Sequence, residues 1–279
     1  MVISVLYYEL TSKLQNKMKK IMLGCLLLLG VVPVVAQRKH LLYDINFNDW
    51  KINKTPSMEV NDSTAIVVSD SVKRYGDNSV RVEVKSTNAT IKGIRAEFAF
   101  KPETYPERWY GLSIFAPSNY LADPEPEIVT QWHNEPDFKL GEGWLSPSTS
   151  LWVKNGRWVF DIIWDTAKVT IQEHWMGRVD YDLGTVKLNA WTDWVFHIKF
   201  SYKSEGLVEI YKNGVKVYTR NGPNDFNDAV LPYWKIGLYK WVYKDHEPTH
   251  HKYNQRVLFY SQIREGDEKA TFADVTPSL

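Results

Sequence analysis

Only one cysteine, Cys25, occurs in the 279 residues, and it lies inside an N-terminal apolar run. Beyond that run the chain has no thiol. No disulfide can staple it, so stability must come from core burial. A basic excess is missing too: Lys+Arg number 34 against 33 Asp+Glu. Segment 1–36 carries four of those lysines and one glutamate, which leaves the remainder about two charges negative. Neutralising phosphates takes a surplus of cations, so general nucleic-acid binding is excluded, and an anionic ligand must be held by local basic residues. Also absent are a long helical period, a Pro/Gly/Ser-rich linker and an internal repeat. One mostly non-helical domain is what remains.

The N-terminal segment stands apart from that domain. In "KMKKIMLGCLLLLGVVPVVAQ" (17–37), Lys17, Lys19 and Lys20 precede an apolar run too short to span a bilayer comfortably, and small residues end at Ala36. That order is the pattern of a signal peptide, with cleavage expected after Ala36 and translation expected to start at Met18 rather than Met1. Cys25 precedes most of the apolar stretch, the wrong order for a lipidated cysteine, so ordinary cleavage is expected. Residues 1–36 then form an N-terminal extension and signal. Residues 37–279 form one exported domain, periplasmic or extracellular, with no membrane span and a monomer as the default.

What the chain has in plenty is aromatic surface and alternation. Its 12 Trp and 16 Tyr either fill a β core or line a groove for sugar rings. Alternating or β-branched runs recur at 41–47, 64–70, 78–86, 93–100, 109–117, 127–133, 150–164, 194–202, 206–220, 233–241 and 255–267. Period-two patterning with turn residues between the runs is the all-β signal. Asn155-Gly156 and Asn213-Gly214 each separate two such strands and supply the two positive-φ positions of a type I′ hairpin turn. The expected fold is a single large β-jelly roll, a concanavalin-like sandwich of two curved antiparallel sheets. A curved sheet suits a linear polymer, because residues at i, i+2 and i+4 all face one groove.

Alternation also sorts the polar residues. In "GIRAEFAF" (93–100), Arg95 and Glu97 share a side. In "EIVTQWH" (127–133), Val129, Gln131 and His133 do. In "YWKIGLYKW" (233–241), Tyr233, Lys235, Gly237, Tyr239 and Trp241 do. Singly, each has an ordinary explanation: an Arg-x-Glu is usually an exposed ion pair, and a histidine at a strand end is usually structural. If the three strands adjoin, however, they bring together the groups that recognise a carboxylate, with an acid and a base beside them.

These motifs, with "TDWVFHIKFS", "GLVEIYKNGVKV" and the closing "RVLFYSQIREGDEKATFADVTP", resemble the polysaccharide lyase family that groups heparin lyase I with the glucuronan lyases. The similarity runs over most of 37–279. It implies a jelly roll that cleaves a uronic-acid-containing polysaccharide, glucuronan or heparin-like, by β-elimination. That reaction removes the C5 proton of a uronate and expels the sugar linked at O4. The site must neutralise the carboxylate, take the proton and protonate the departing oxygen. Arg95, Gln131 and Lys235 suit the first task, and Glu97 and Lys240 complete the expected substrate-binding set. The resemblance carries His133 and Tyr239 over as base and acid. With H5 and O4 on one side of the ring, as in glucuronate, Tyr239 suffices for both steps; with them on opposite sides, two residues are needed. A glucuronate-type substrate is expected, because no dense Arg/Lys cluster of the kind repeated sulfates favour is present.

The chemistry requires no cofactor. The architecture leaves room for a structural calcium ion near the chain ends, at Asp44 and Asp274. The loop 134–150, with Trp144, and the histidine-bearing segment 246–256 are expected to border the groove. Two other readings compete. One is a non-catalytic carbohydrate-binding jelly roll, which needs no acid–base pair. The other is a glycoside hydrolase, which wants two opposed carboxylates, and Glu127 has no acidic partner at i+2 or i+4.

Overall fold

Among the described residues, fifteen strands form the framework of the protein. The computed structural model describes residues 38–49, 56–88, 93–245 and 251–277, so the expected signal segment and its cleavage point lie outside the described residues. In chain order the strands are β1 (Leu41–Ile45), β2 (Ser57–Val60), β3 (Ile66–Arg74), β4 (Asp77–Lys85), β5 (Arg95–Pro102), β6 (Glu107–Ala116), β7 (Glu127–His133) and β8 (Thr149–Lys154). They continue as β9 (Arg157–Trp164), β10 (Gly177–Thr185), β11 (Ala190–Lys199), β12 (Leu207–Lys212), β13 (Val215–Asn221), β14 (Tyr233–Tyr239) and β15 (Gln255–Gly266). A single-turn helix, α1 (Phe272–Val275), follows.

Two antiparallel sheets hold these strands. One runs β13-β12-β11-β6-β15-β4-β3, with β1 also paired to β15; the other runs β10-β9-β8-β7-β14-β5-β2. This is the expected jelly-roll sandwich. Both Asn-Gly turns take the expected conformation, with φ of 52° and 69° at Asn155-Gly156 and of 50° and 81° at Asn213-Gly214. Between the sheets lies one core in which Trp132, Trp158, Trp194 and Trp234 are fully buried with Phe98, Phe160, Phe196, Tyr110 and Tyr260. Those four tryptophans belong to packing, not to sugar binding. Each buried aromatic contributes about 2–3 kcal/mol relative to its exposed state, and this replaces the disulfides the chain cannot make.

Three features depart from the expected pattern. β2, "SMEV", is a short edge strand outside the predicted set. β10 is also outside it, although Val179, Tyr181 and Leu183 alternate there with Arg178, Asp180 and Asp182. Finally, the β7 register shifts between Ile128 and Thr130, and Val129 joins the core with Trp132 instead of sharing the outer face of Gln131. Gly237 answers a second close approach. Its φ is 143°, and a Cβ there would lie 2.0 Å from the Ala96 carbonyl oxygen. Only glycine lets β14 pass β5 at that distance.

Candidate active site

The second sheet turns one face to the core and one face outward. Its strand register lines up a polar row across the outer face. Glu59 on β2 stands opposite Glu97 on β5, Lys235 on β14 stands opposite Gln131 on β7, and Ser150 on β8 stands between Gln131 and Asp161 on β9. β5, β14 and β7 are neighbours, so the three motif strands do adjoin.

Four charged side chains interlock in the middle of this row. Lys235 Nζ lies 2.8 Å from Glu59 Oε2 and 2.8 Å from Glu97 Oε2. Arg95 Nη1 lies 3.0 Å from Glu59 Oε2 and 3.4 Å from Glu97 Oε2. Gln131 Nε2 donates to Glu97 Oε1 at 2.5 Å. Glu97, Gln131 and Lys235 are wholly buried. Two cations thus face two carboxylates, a balance that buried charges require. Burial opposes ionisation of Glu59, but Lys235 and Arg95 outweigh it and hold the carboxyl below its usual range. Burial would likewise lower Arg95, yet Glu97, Tyr239 and Glu59 raise it. Arg95 stays charged, and the ion pairs fix the positions of both basic side chains before any ligand arrives.

His133 and Tyr239 stand at opposite ends of this group. His133 is opposite Tyr233 in the ladder, whereas Tyr239 is opposite Ile128 on β7 and Arg95 on β5. Five residues of β7 separate those two levels, roughly 16 Å at the rise of a strand. The His133 ring lies 5.7 Å from Tyr233 and 5.7 Å from Trp144, and Trp144, on the expected loop wall, is 61% exposed. Arg95 Cζ sits 4.2 Å over the Tyr239 ring, and Trp241 packs 5.9 Å from it.

The histidine's protonation follows from its surroundings. Nδ1 lies 2.8 Å from the Asn134 carbonyl oxygen, which only accepts, so Nδ1 carries the hydrogen and Nε2 keeps its lone pair. Asn134 is itself held, its Nδ2 donating to buried Asp225 at 2.8 Å. Burial, with Lys235 and Arg95 nearby, pushes His133 down to about 4. At neutral pH it is an uncharged proton acceptor, not a cation.

Other expected residues fall elsewhere. Lys240, one residue past Tyr239, is buried on a different cluster, donating to the Glu125 carbonyl at 2.9 Å and lying 3.2 Å from Asp123 Oδ2 and 3.5 Å from Glu127 Oε2. It does not join the Lys235 group. Glu127 is taken up by Arg256 Nη2 at 2.7 Å and by the Tyr120 hydroxyl, which leaves no hydrolase-type carboxylate free there. His246 and His250 lie outside the described residues, while His251 is buried against Asn254 and Tyr243. The two carboxylates expected as calcium ligands already serve protein donors. Asp44 Oδ1 accepts from Arg264 Nε at 3.0 Å; Asp274 caps α1 through Thr271 and accepts from the Lys39 N–H at 2.9 Å. A guanidinium beside Asp44 does not fit a calcium site, and among the described residues no group of three or more His, Cys, Asp or Glu is placed to hold a metal ion. Glu59 is the member of the site that sequence reasoning misses; no motif announces it, and only pairing of β2 with β5 reveals it.

The sequence profile of the family described as polysaccharide lyase matches residues 45–264. The chain belongs to the polysaccharide lyase family. All five interlocked residues, Glu59, Arg95, Glu97, Gln131 and Lys235, fall inside the matched span, as do His133 and Tyr239. Solved structures share this lyase's fold. An endo-β-1,4-glucuronan lyase from the fungus Trichoderma reesei superposes with a TM-score of 0.67 at 21% identity, over 85% of this chain and 99% of that one. The alginate lyase A1-II′ of polysaccharide lyase family 7 gives 0.51 at 12% identity over 74% and 84%. Alginate lyase Aly36B gives 0.51 at 11% over 82% and 97%. No curated protein sequence matches the chain. Identities this low speak for the sandwich and not for the substrate.

Proposed function

We infer that this polysaccharide lyase cleaves a glucuronate-type polymer by β-elimination and leaves an unsaturated uronate at the new end. The observation that carries the reading is the interlocked group of Arg95, Glu97, Gln131 and Lys235, with His133 and Tyr239 on either side of it. A uronate seated over that group meets the partly exposed Arg95 guanidinium, fixed in place by Glu59 and Glu97, which counters the charge that builds on its carboxylate as the C5 proton leaves. Tyr239 protonates the departing O4 and, where H5 and O4 share a side, also takes the proton, with Arg95 adding positive charge against its ring. Neutral His133 offers its Nε2 lone pair at the other edge, and a bound carboxylate strengthens it as an acceptor.

The acidic residues farther along the same face favour a polymer of moderate charge. Asp180 and Asp182 stand exposed on β10, where a densely sulfated chain would be repelled. The export signal expected in residues 1–36 fits an enzyme that meets polysaccharide outside the cytoplasm, and no helix among the described residues is long and apolar enough to cross a membrane. The test is absorbance of unsaturated uronate, with glucuronan, heparin, heparan sulfate and alginate supplied separately. Glucuronan should give the fastest rise, Tyr239→Phe should abolish it, and His133→Gln should mainly raise KM. Equal loss of kcat in both variants would assign the two steps to two residues. Binding without any product would leave a carbohydrate-binding jelly roll.

A further inference from the structure

One buried carboxylate beside the site takes no direct part in the elimination. Asp225 stands on the segment between β13 and β14 and is 4% exposed. Its Oδ1 accepts from the Asn134 amide Nδ2 at 2.8 Å. Asn134 is the first residue past β7 and is itself buried. Its amide oxygen accepts from the Ser148 N–H at 3.3 Å, and its main-chain carbonyl accepts from His133 Nδ1 at 2.8 Å. One side chain thus clasps both ends of the 134–148 loop to the segment that leads into β14, while its own backbone holds the histidine. The carboxylate is anchored in turn. The Asp165 N–H donates to the Asp225 carbonyl at 3.3 Å, and the next residue, Phe226, packs with Leu145 and Ile163 in a small apolar cluster apart from the main core. Burial raises Asp225 to about 6 against the pull of Asn134. At neutral pH it is therefore ionised, and its bond to the amide is charge-assisted.

We propose that Asp225 is a positioning residue for the reaction, fixing through Asn134 both the ring orientation of His133 and which of its nitrogens bears the hydrogen. The use of that geometry rests on the β-elimination reading; the geometry itself does not. A histidine offers a lone pair at Nε2 only while Nδ1 carries the hydrogen, and the hydrogen bond made at Nδ1 decides this. In a Ser-His-Asp triad the carboxylate takes that bond itself and stabilises the imidazolium that forms. Here a neutral carbonyl takes it, and the carboxylate stands behind the side chain of the same residue. The tautomer is fixed without favouring the charged ring, in keeping with a His133 that burial first, and then Lys235, hold down at about 4. A peptide carbonyl just past a strand end can swing with its residue. The Asn134 amide, pinned by Asp225 and Ser148, removes that freedom before substrate arrives. Trp144, 5.7 Å from the His133 ring, lies on the clasped loop, and its neighbour Leu145 packs on Phe226 beside Asp225.

Nitrogen NMR on the full chain with isotope-labelled histidines reads the ring directly, and His133→Gln identifies its signals by their loss. At neutral pH the parent should show Nδ1 protonated and Nε2 bare. Asp225→Ala should leave a mixture of the two tautomers, whereas Asp225→Asn, which keeps an oxygen facing Asn134, should restore the parent's signals. In glucuronan cleavage Asp225→Ala should raise KM roughly threefold or more, with kcat within about twofold of the parent, the same direction as His133→Gln. Added to His133→Gln, it should change KM by less than about twofold, since both changes act through one group. If Asp225→Ala does not fold, Asn134→Ala, which keeps the main-chain carbonyl and removes its clasp, takes its place in both arms. Parent-like ring signals in the folded variant, or an equal rise in KM with and without His133, would overturn the proposal and leave Asp225 a packing residue. If the parent releases no unsaturated uronate, the lyase reading fails, and the ring signals alone decide the positioning. If it cleaves glucuronan and the variant's ring signals match the parent's, the positioning role fails alone.

Discussion

Glu97→Gln tests whether the interlocked charges hold the sheet together. The substitution keeps the side chain's shape and removes only its charge. Glu97 and Lys235 are both fully buried, so water cannot replace the lost partner. Breaking a buried pair from one side costs about 3–5 kcal/mol, because the other charge stays behind uncompensated. Here Glu59 still faces Lys235 at 2.8 Å and Arg95 at 3.0 Å, which places the expected loss at the low end, about 3 kcal/mol. For a domain of this size each kcal/mol moves Tm by roughly 2–4 °C, so Tm should fall by about 6–12 °C. Glu59→Gln removes the other carboxylate, but that side chain is 23% exposed. Solvent screens the change, and the loss should be nearer 1 kcal/mol. Thermal unfolding at neutral pH, followed by circular dichroism, measures both. A Glu97→Gln shift under about 3 °C, or one no larger than that of Glu59→Gln, would refute the claim that burial gives Glu97 the greater weight.

Two further outcomes follow from the same geometry. His133 is held at about 4, below the ordinary 6.5 of an unfolded chain. As pH falls the unfolded chain takes its proton first, so the histidine's contribution is complete above about 6.5 and lost between there and about 4, roughly 3 kcal/mol in all. Asp161, Asp225, Asp228 and Glu265 are raised by burial and act in the opposite sense. The readout is therefore the difference between the parent and His133→Gln in urea unfolding from pH 7 to 4, and a flat difference would rule out the buried neutral imidazole. Gly237→Ala places a methyl 2.0 Å from the Ala96 carbonyl oxygen and 2.8 Å from the Glu97 Cα, at a φ of 143°. The backbone must shift, at a cost of more than about 3 kcal/mol; a Tm within about 3 °C of the parent would show that β14 yields more easily than this.

Sequence carried the architecture because a sandwich advertises itself in every strand. Alternation marked most of the strands, and Asn-Gly marked two hairpins whose backbones take the expected angles. It carried the site only where chemistry lay on long, regular strands. Arg95, Gln131 and Lys235 could be assigned to one face by counting residues in twos, and their strands adjoin. The same counting misplaced Val129, since a register shift of one residue turns a side chain from one face to the other and leaves no trace in composition. Lys240 shows the limit of proximity along the chain. It follows Tyr239 directly, yet Asp123 and Glu127 draw it into a different cluster, and those partners are more than a hundred residues away. Glu59 lies beyond sequence reasoning for another reason. Four residues of edge strand have too few alternations to be seen, and what gives the carboxylate its place is a pairing between β2 and β5. Balanced ion clusters are assembled from several strands, so each member looks like an ordinary surface charge until the sheet is formed.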